Sequence, residues 1–193
     1  MDGRRDREFV LGELASSEAW VLRLVEGLTA AQWGFREAAE RWSIAEILEH
    51  LVVFEGFIMG RIAQALAEPA ELEKKASAAG KEALVLGLAG ARETKFMARE
   101  VVRPVGRWAD PAVLAGEFRA ARARTVAFAL ETEAALRDHF FAHIAFGDLD
   151  CYQWLVLLGK HSARHALQIE EVLGCSGFPG QLRNLDRDSG FPG

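Results

Sequence analysis

Apolar residues recur at spacings of three and four in four separate stretches of this chain, which is the period of a helix and not of a strand. Val10, Leu14, Val21, Leu24, Val25 and Leu28 trace the first stripe, and Ile47, Leu51, Phe54, Ile58 and Ile62 the second. Leu114, Phe118, Ala121, Thr125, Phe128 and Ala129 trace the third, and the fourth stretch ends at Gly174. The punctuation agrees. Ser43 and Glu46 have the spacing of a capping box, Pro69 stops the second stretch, and Asp110-Pro111 is an N-cap residue followed by proline in the first turn. Carboxylates at 148 and 150 and a glycine at 174 suit the two ends of the fourth. The expected helices are therefore 6–28, 43–67, 110–135 and 149–173, in a single all-α domain.

The connections carry further information. Residues 69–110 form a long, less regular link, with a short helix expected at 83–92 and an extended loop from Val101 to Trp108; a link this long in one domain is often functional. A second loop, 137–147, is rich in His and Phe. Beyond Gly174 the pentapeptide Ser-Gly-Phe-Pro-Gly occurs at 176–180 and again at 189–193. Two copies do not make a repeat architecture, so 175–193 reads as a tail with Phe178 pinned to the bundle.

At 193 residues the chain can bury one sizeable core. A net charge of −5, with Arg119, Arg122 and Arg124 balanced by Glu117 and Glu131, speaks against nucleic-acid binding. The longest apolar stretches are interrupted by Glu, His, Gln or Lys, and the N-terminus does not read as a signal peptide, so a cytoplasmic location is expected. Cys151 and Cys175 do not suggest a disulfide framework; Cys151 reads as a small core residue.

His161 and His165 lie one helical turn apart on one face. Two such imidazoles can grip a metal if a third ligand joins them, and His50, mid-helix in the second stretch, is the best candidate. The competing reading is a set of buried histidines bonded to backbone carbonyls or carboxylates. Gln168 and Trp154 fall near the face of the pair, as a polar partner and an aromatic wall. Residue 162 is Ser, so the His-Glu-x-x-His pattern of zinc proteases is absent. His139 and His143 read as surface or capping residues, Glu49 and Glu55 as solvated carboxylates, and Arg164 as an ion-pairing or dimer-face residue. Glu46, one turn before His50, is the candidate general base, with the helix cap as its alternative role. Arg103, Arg107 and Arg137 could hold a substrate carboxylate or lie in solvent.

The segment Trp42-Ser43-Ile44-Ala45-Glu46-Ile47-Leu48-Glu49-His50-Leu51 resembles the second-helix motif of the DinB superfamily. Residues 142–150, then Tyr152-Gln153-Trp154, then His161-Ser162-Ala163-Arg164-His165 with Gln168-Ile169, resemble its fourth-helix motif. The resemblance spans about residues 9 to 179 and departs from the family at Ile144, where proline usually follows the loop histidine. It implies a four-helix bundle of up-down-down-up order, in which the long link between the second and third helices is the crossover. It also implies a divalent metal, zinc or nickel, held by His50, His161 and His165. Three neutral histidines leave coordination positions for water or substrate, so hydrolysis by metal-bound water and transfer of a low-molecular-weight thiol to an electrophile are both open. The resemblance tilts toward thiol transfer, and a non-catalytic bundle with a vestigial site is the third reading. A homodimer is expected because Phe140, Phe141, Phe146, Trp108 and Val105 would form an exposed apolar patch.

Overall fold

Three of the four long helices start on a side chain that satisfies their free amides. In this computed structural model, which describes residues 3–87 and 100–180, Ser43 Oγ accepts from Glu46 N at 3.3 Å while Glu46 Oε2 accepts from Ser43 N at 2.9 Å. Asp110 Oδ1 accepts from Ala112 N at 2.8 Å, with Pro111 in the first turn. Asp150 and Gln153 form a second capping box. The long helices that result are α1 (Gly3–Val25), α3 (Ile44–Ala67), α6 (Pro111–Glu131) and α7 (Cys151–Leu173). Short helices α2 (Ala30–Trp33), α4 (Lys75–Ala79) and α5 (Glu82–Gly87) lie between them. The remainder of the short helix expected at 83–92 lies outside the described residues.

Two ends differ from the sequence expectation for local reasons. α1 stops at Val25 because Gly27 takes a φ of +71°, where the chain can leave the helix. α6 stops at Glu131 because the Thr132 hydroxyl accepts from Ala134 N at 3.2 Å, which diverts an amide from the helical ladder.

The helix directions follow from side-chain pairs. Lys160 meets Glu13 and Glu170 meets Trp20, so α1 and α7 run parallel. Arg7 reaches Thr132 while Arg122 reaches Leu14, so α1 and α6 are antiparallel. Phe54 stacks on His161 and His50 meets His165 edge-on, so α3 and α7 are antiparallel. α3 and α6 therefore run the same way, which is the up-down-down-up bundle. A chain that leaves the end of α3 must travel back along the bundle before α6 can begin, and the long connection does so.

Two apolar clusters fill the interior. One includes Val10, Leu14, Ile58, Ile62, Ala129 and Leu155; the other includes Val21, Ile47, Leu51, Leu114, Phe118 and Ile169. Each helix places between the clusters a buried polar residue that joins one network: Ser17, Glu55, Arg122 and Ser162. The Arg122 guanidinium donates to Glu55 Oε2, Ser17 Oγ, Ser162 Oγ and Leu14 O, and so ties all four helices together. At Gly159 the α7 backbone lies so near α1 that a Cβ would stand 3.0 Å from the Glu13 carbonyl oxygen.

Several expectations are corrected here. Glu49 and Glu55 are not solvated: both are buried, as is Arg122, because each has a bonded partner inside the fold. The loop 137–147 contains a two-stranded antiparallel hairpin, β1 (Phe140–His143) and β2 (Gly147–Asp150), which turns Phe140 and Phe141 inward. Phe146 and Trp108 pack against the two clusters, so of the proposed patch only Val105 is exposed. The dimer expectation is left without its aromatic motive. Helix α3 is long and apolar enough, by length and composition, to cross a bilayer. Its Glu49, His50 and Glu55 nevertheless face bonded partners in the bundle, as in a core helix. Cys151 is fully buried, and Phe178 packs edge-on against Phe35 at 5.5 Å, tying the start of the tail down; residues 181–193 lie outside the described ones.

Candidate metal centre

His50 stands on α3, and His161 and His165 stand one turn apart on α7. The antiparallel packing of the two helices brings the three rings together: each has one ligating atom within 4.8 Å of the others. The Nε2 atoms of His50 and His161 are 3.0 Å apart. Nitrogens bound to one ion at about 2.0–2.1 Å are separated by about 2.9 Å at a right angle and about 3.3 Å at the tetrahedral angle. The observed separation falls within that span.

The outer nitrogens of two of the rings are already engaged. His50 Nδ1 lies 2.7 Å from the carbonyl oxygen of Val102, and His165 Nδ1 lies 2.9 Å from Gln168 Oε1. A carbonyl oxygen can only accept, so each Nδ1 carries a proton, and in the neutral ring Nε2 then keeps a lone pair. This is the tautomer a metal requires of an Nε2 ligand, with the outer partner fixing the ring. Two Nε2 atoms at 3.0 Å call for either a proton between them or a cation in front of both.

The electrostatics favour neutral rings at His50 and His161. Burial pulls the His50 pKa below the usual imidazole range, and the Val102 bond offsets this only in part. His161 is held well below that range, first by burial and then by the charges of His165, His50 and Arg164. Aromatic walls close the site: Phe54 stacks on His161 at 4.0 Å, and Trp42 lies 5.0 Å from His50 and 6.4 Å from His165. The residues therefore fit a divalent transition metal, with imidazole donors, oriented lone pairs and a shielded setting.

Comparison with known proteins agrees with this geometry. The model of the DinB superfamily matches residues 13–169, which include all three histidines. The chain belongs to the DinB superfamily. An uncharacterized Bacillus subtilis protein, YuaE, is 25% identical over 162 residues, covering 82% of this chain and 92% of its own. The structure of YfiT, also from Bacillus subtilis, superposes with a TM-score of 0.59 at 17% identity, over 89% of this chain and 88% of that one. It is described as a probable metal-dependent hydrolase with an unusual four-helix bundle topology. At that identity the likeness speaks for the fold.

This DinB chain departs from its family's loop motif at Ile144, which is 74% exposed at the hairpin tip. The turn is closed by His143 instead, whose Nδ1 accepts from the amides of Ala145 and Phe146. His139 donates to Ala65 O, so both loop histidines have structural roles. Gln168 takes the partner role expected of it. Trp154 does not wall the site: it is buried in the first cluster, stacked on Phe141 at 4.4 Å. Trp42, from the second-helix motif, and Phe54, from the second apolar stripe, form the wall. Val102 was missed altogether, since a backbone carbonyl has no sequence signal.

The charged candidates are mostly committed elsewhere. Glu46 Oε2 accepts from Ser43, and Oε1 accepts from Arg36 at 2.5 Å, so its carboxylate serves the helix start. Arg107 pairs with Glu49, and Arg137 sits among Asp6, Glu82 and Asp150 with its guanidinium over the Tyr152 ring. Neither is poised for a substrate carboxylate. Arg164 is buried and so does not lie on an exposed dimer face.

Proposed function

We propose that this protein is a metal-dependent enzyme acting on a small molecule, and that its reaction is the transfer of a low-molecular-weight thiol to an electrophile. One observation carries the metal dependence: three imidazoles from two helices converge, and the outer nitrogens of two of them are held by acceptors. His50, His161 and His165 would hold the ion, with zinc or nickel as the metals proposed. A divalent ion bound there would lower the pKa of a water or a thiol held against it.

The choice between reactions rests on what surrounds the histidines. Among the described residues the cluster contains no carboxylate, and Glu46 is engaged at the helix cap. A thiol held on the ion would release its proton to solvent, and its sulfur would bond to the electrophilic atom as a weakly basic leaving group departs with its bonding electrons. Hydrolysis of an ester or amide expels a more basic oxygen or nitrogen, which needs a group to protonate it. The donor set therefore favours thiol transfer, while Trp42 and Phe54 offer apolar surface that excludes water beside the reacting sulfur. Such thiols are kept reduced in the cytoplasm, which is the proposed location. Hydrolysis is the second reading, supported by the description of YfiT.

The test is a turnover screen of metal-free and metal-loaded protein with bacillithiol, mycothiol, glutathione and generic esters. Metal-dependent loss of a thiol into an electrophile is expected. Ester turnover alone would replace the reaction with hydrolysis. No metal-dependent turnover with any of them would leave a ligand-binding bundle.

A further inference from the structure

The residue next to His50 points away from the histidines and into the crossover. Glu49 is 3% exposed, and its carboxylate accepts four hydrogen bonds from one short segment. Oε1 accepts from Val105 N at 2.8 Å and from Arg107 Nη1 at 2.7 Å. Oε2 accepts from Gly106 N at 2.9 Å and from Arg107 N at 3.2 Å. Three successive amides aimed at one anion form a nest, a backbone shape that binds negative charge. Gly106 makes the shape possible, since its φ of +77° is strained for any residue with a Cβ.

The same segment touches His50 at its other end. Val102 lies three residues before the nest, its side chain is buried, and its carbonyl accepts the His50 Nδ1 proton at 2.7 Å. Consecutive residues of α3 therefore grip one loop at two points. Burying a carboxylate is costly unless it is fully bonded. An exposed ion pair with Arg107 would pin a surface loop without that cost. What the buried carboxylate adds is the exact path of the backbone between its two anchors.

We propose that Glu49 is a positioning residue of the three-histidine centre: by closing residues 105–107 on itself, it holds the Val102 carbonyl against His50 Nδ1 and so keeps His50 Nε2 turned toward His161 and His165. The part that concerns metal rests on the three-histidine reading above. The part that concerns the ring does not. With the carbonyl displaced, the His50 ring can rotate, or move its proton to Nε2, and an Nε2–H nitrogen cannot ligate.

The experiment compares wild type with Glu49→Ala, Glu49→Gln and Ile62→Ala, the last a core truncation more than three helical turns along α3 from His50 that lowers stability. Zinc affinity is measured by competition with a chromophoric chelator, and the His50 tautomer by nitrogen-15 shifts of the metal-free protein. Glu49→Ala should raise the zinc Kd about 10–100-fold, the usual cost of losing an outer partner of a ligand. Glu49→Gln should act in the same direction to a smaller extent, and it carries the test if the alanine variant does not fold. Ile62→Ala should lower the melting temperature at unchanged Kd. His50 should be protonated on Nδ1 in wild type and in Ile62→Ala, and should lose that preference in the Glu49 variants. A folded Glu49 variant with the wild-type tautomer overturns the proposal, whatever its Kd. If wild type itself binds neither zinc nor nickel, the metal reading falls, and the tautomer alone decides the positioning role.

Discussion

Replacing Arg122 with methionine should cost this protein a large part of its stability. The side chain is fully buried. Its guanidinium makes two hydrogen bonds to Glu55 Oε2, at 3.2 and 3.0 Å, and one each to Leu14 O at 2.9 Å, Ser17 Oγ at 3.1 Å and Ser162 Oγ at 2.8 Å. Methionine keeps most of the volume, so the cavity contribution is small and the charge dominates. Glu55, 2% exposed, would lose its cation; its Oε1 is buried and makes no hydrogen bond to any described residue. Removing one member of such a pair costs about 3–5 kcal/mol. Domains have about 5–15 kcal/mol in total. At about 2–4 °C per kcal/mol for a chain of this size, the melting temperature should fall by about 6–20 °C. Urea unfolding of Arg122→Met, Glu55→Leu and the double variant closes the cycle. The double variant should recover most of the loss, because no charge is then left buried alone. A single Arg122→Met variant within about 1 kcal/mol of wild type would refute the reasoning, as would a double variant as unstable as the two singles added.

Other outcomes follow from the same structure. Gly159→Ala should destabilise by about 1–3 kcal/mol in the same urea assay, since its Cβ would meet the Glu13 backbone and not a flexible side-chain end; an unchanged midpoint would contradict the close α1–α7 approach. Burial pushes the Cys151 thiol up to about 12, whereas Cys175 is partly exposed at the end of α7. A thiol reagent should therefore label one cysteine in the native protein and both in denaturant, and rapid native labelling of Cys151 would count against its burial. His50 and His161 have folded pKa values below the unfolded value, so the unfolded state takes up their protons first. Metal-free protein should keep this contribution above about pH 6.5 and lose it progressively as the pH falls below that value. A His50→Gln, His161→Gln double variant should lose most of that dependence, and an equal slope in both proteins would exclude these histidines as its source.

What was legible in the sequence was what is local. Capping boxes, the Asp110-Pro111 start and the stripes of α1, α3, α6 and α7 are encoded within a few residues, and the helices begin within a few residues of the expected positions. The topology was legible because the length of the link before α6 matched the crossover that the family resemblance implied. The His161/His165 pair was legible from one-turn spacing, and His50 from its place in a motif. Burial of charge was not legible. Glu49, Glu55 and Arg122 look like surface residues in any window, and only partners 58 and 67 positions away make their burial tolerable. Phe140 and Phe141 were misplaced for a related reason: a strand of four residues is too short to show its alternation, yet it decides which way the rings face. Trp154 has helical spacing to His161 but is claimed by Phe141, while Trp42 reaches the site from outside the helix, where periodicity says nothing.

The most direct measurement is metal stoichiometry and affinity in untagged protein, for wild type, His50→Ala and His165→Ala, by calorimetric titration with zinc and with nickel after chelation. A tag of histidines would compete for the ion, so it must be removed. If the three imidazoles form one centre, wild type should bind one equivalent per chain and each variant should lose that binding while keeping its helical signal. Saturable binding that survives in His165→Ala, or no binding by folded wild-type protein, would contradict a shared three-histidine metal site.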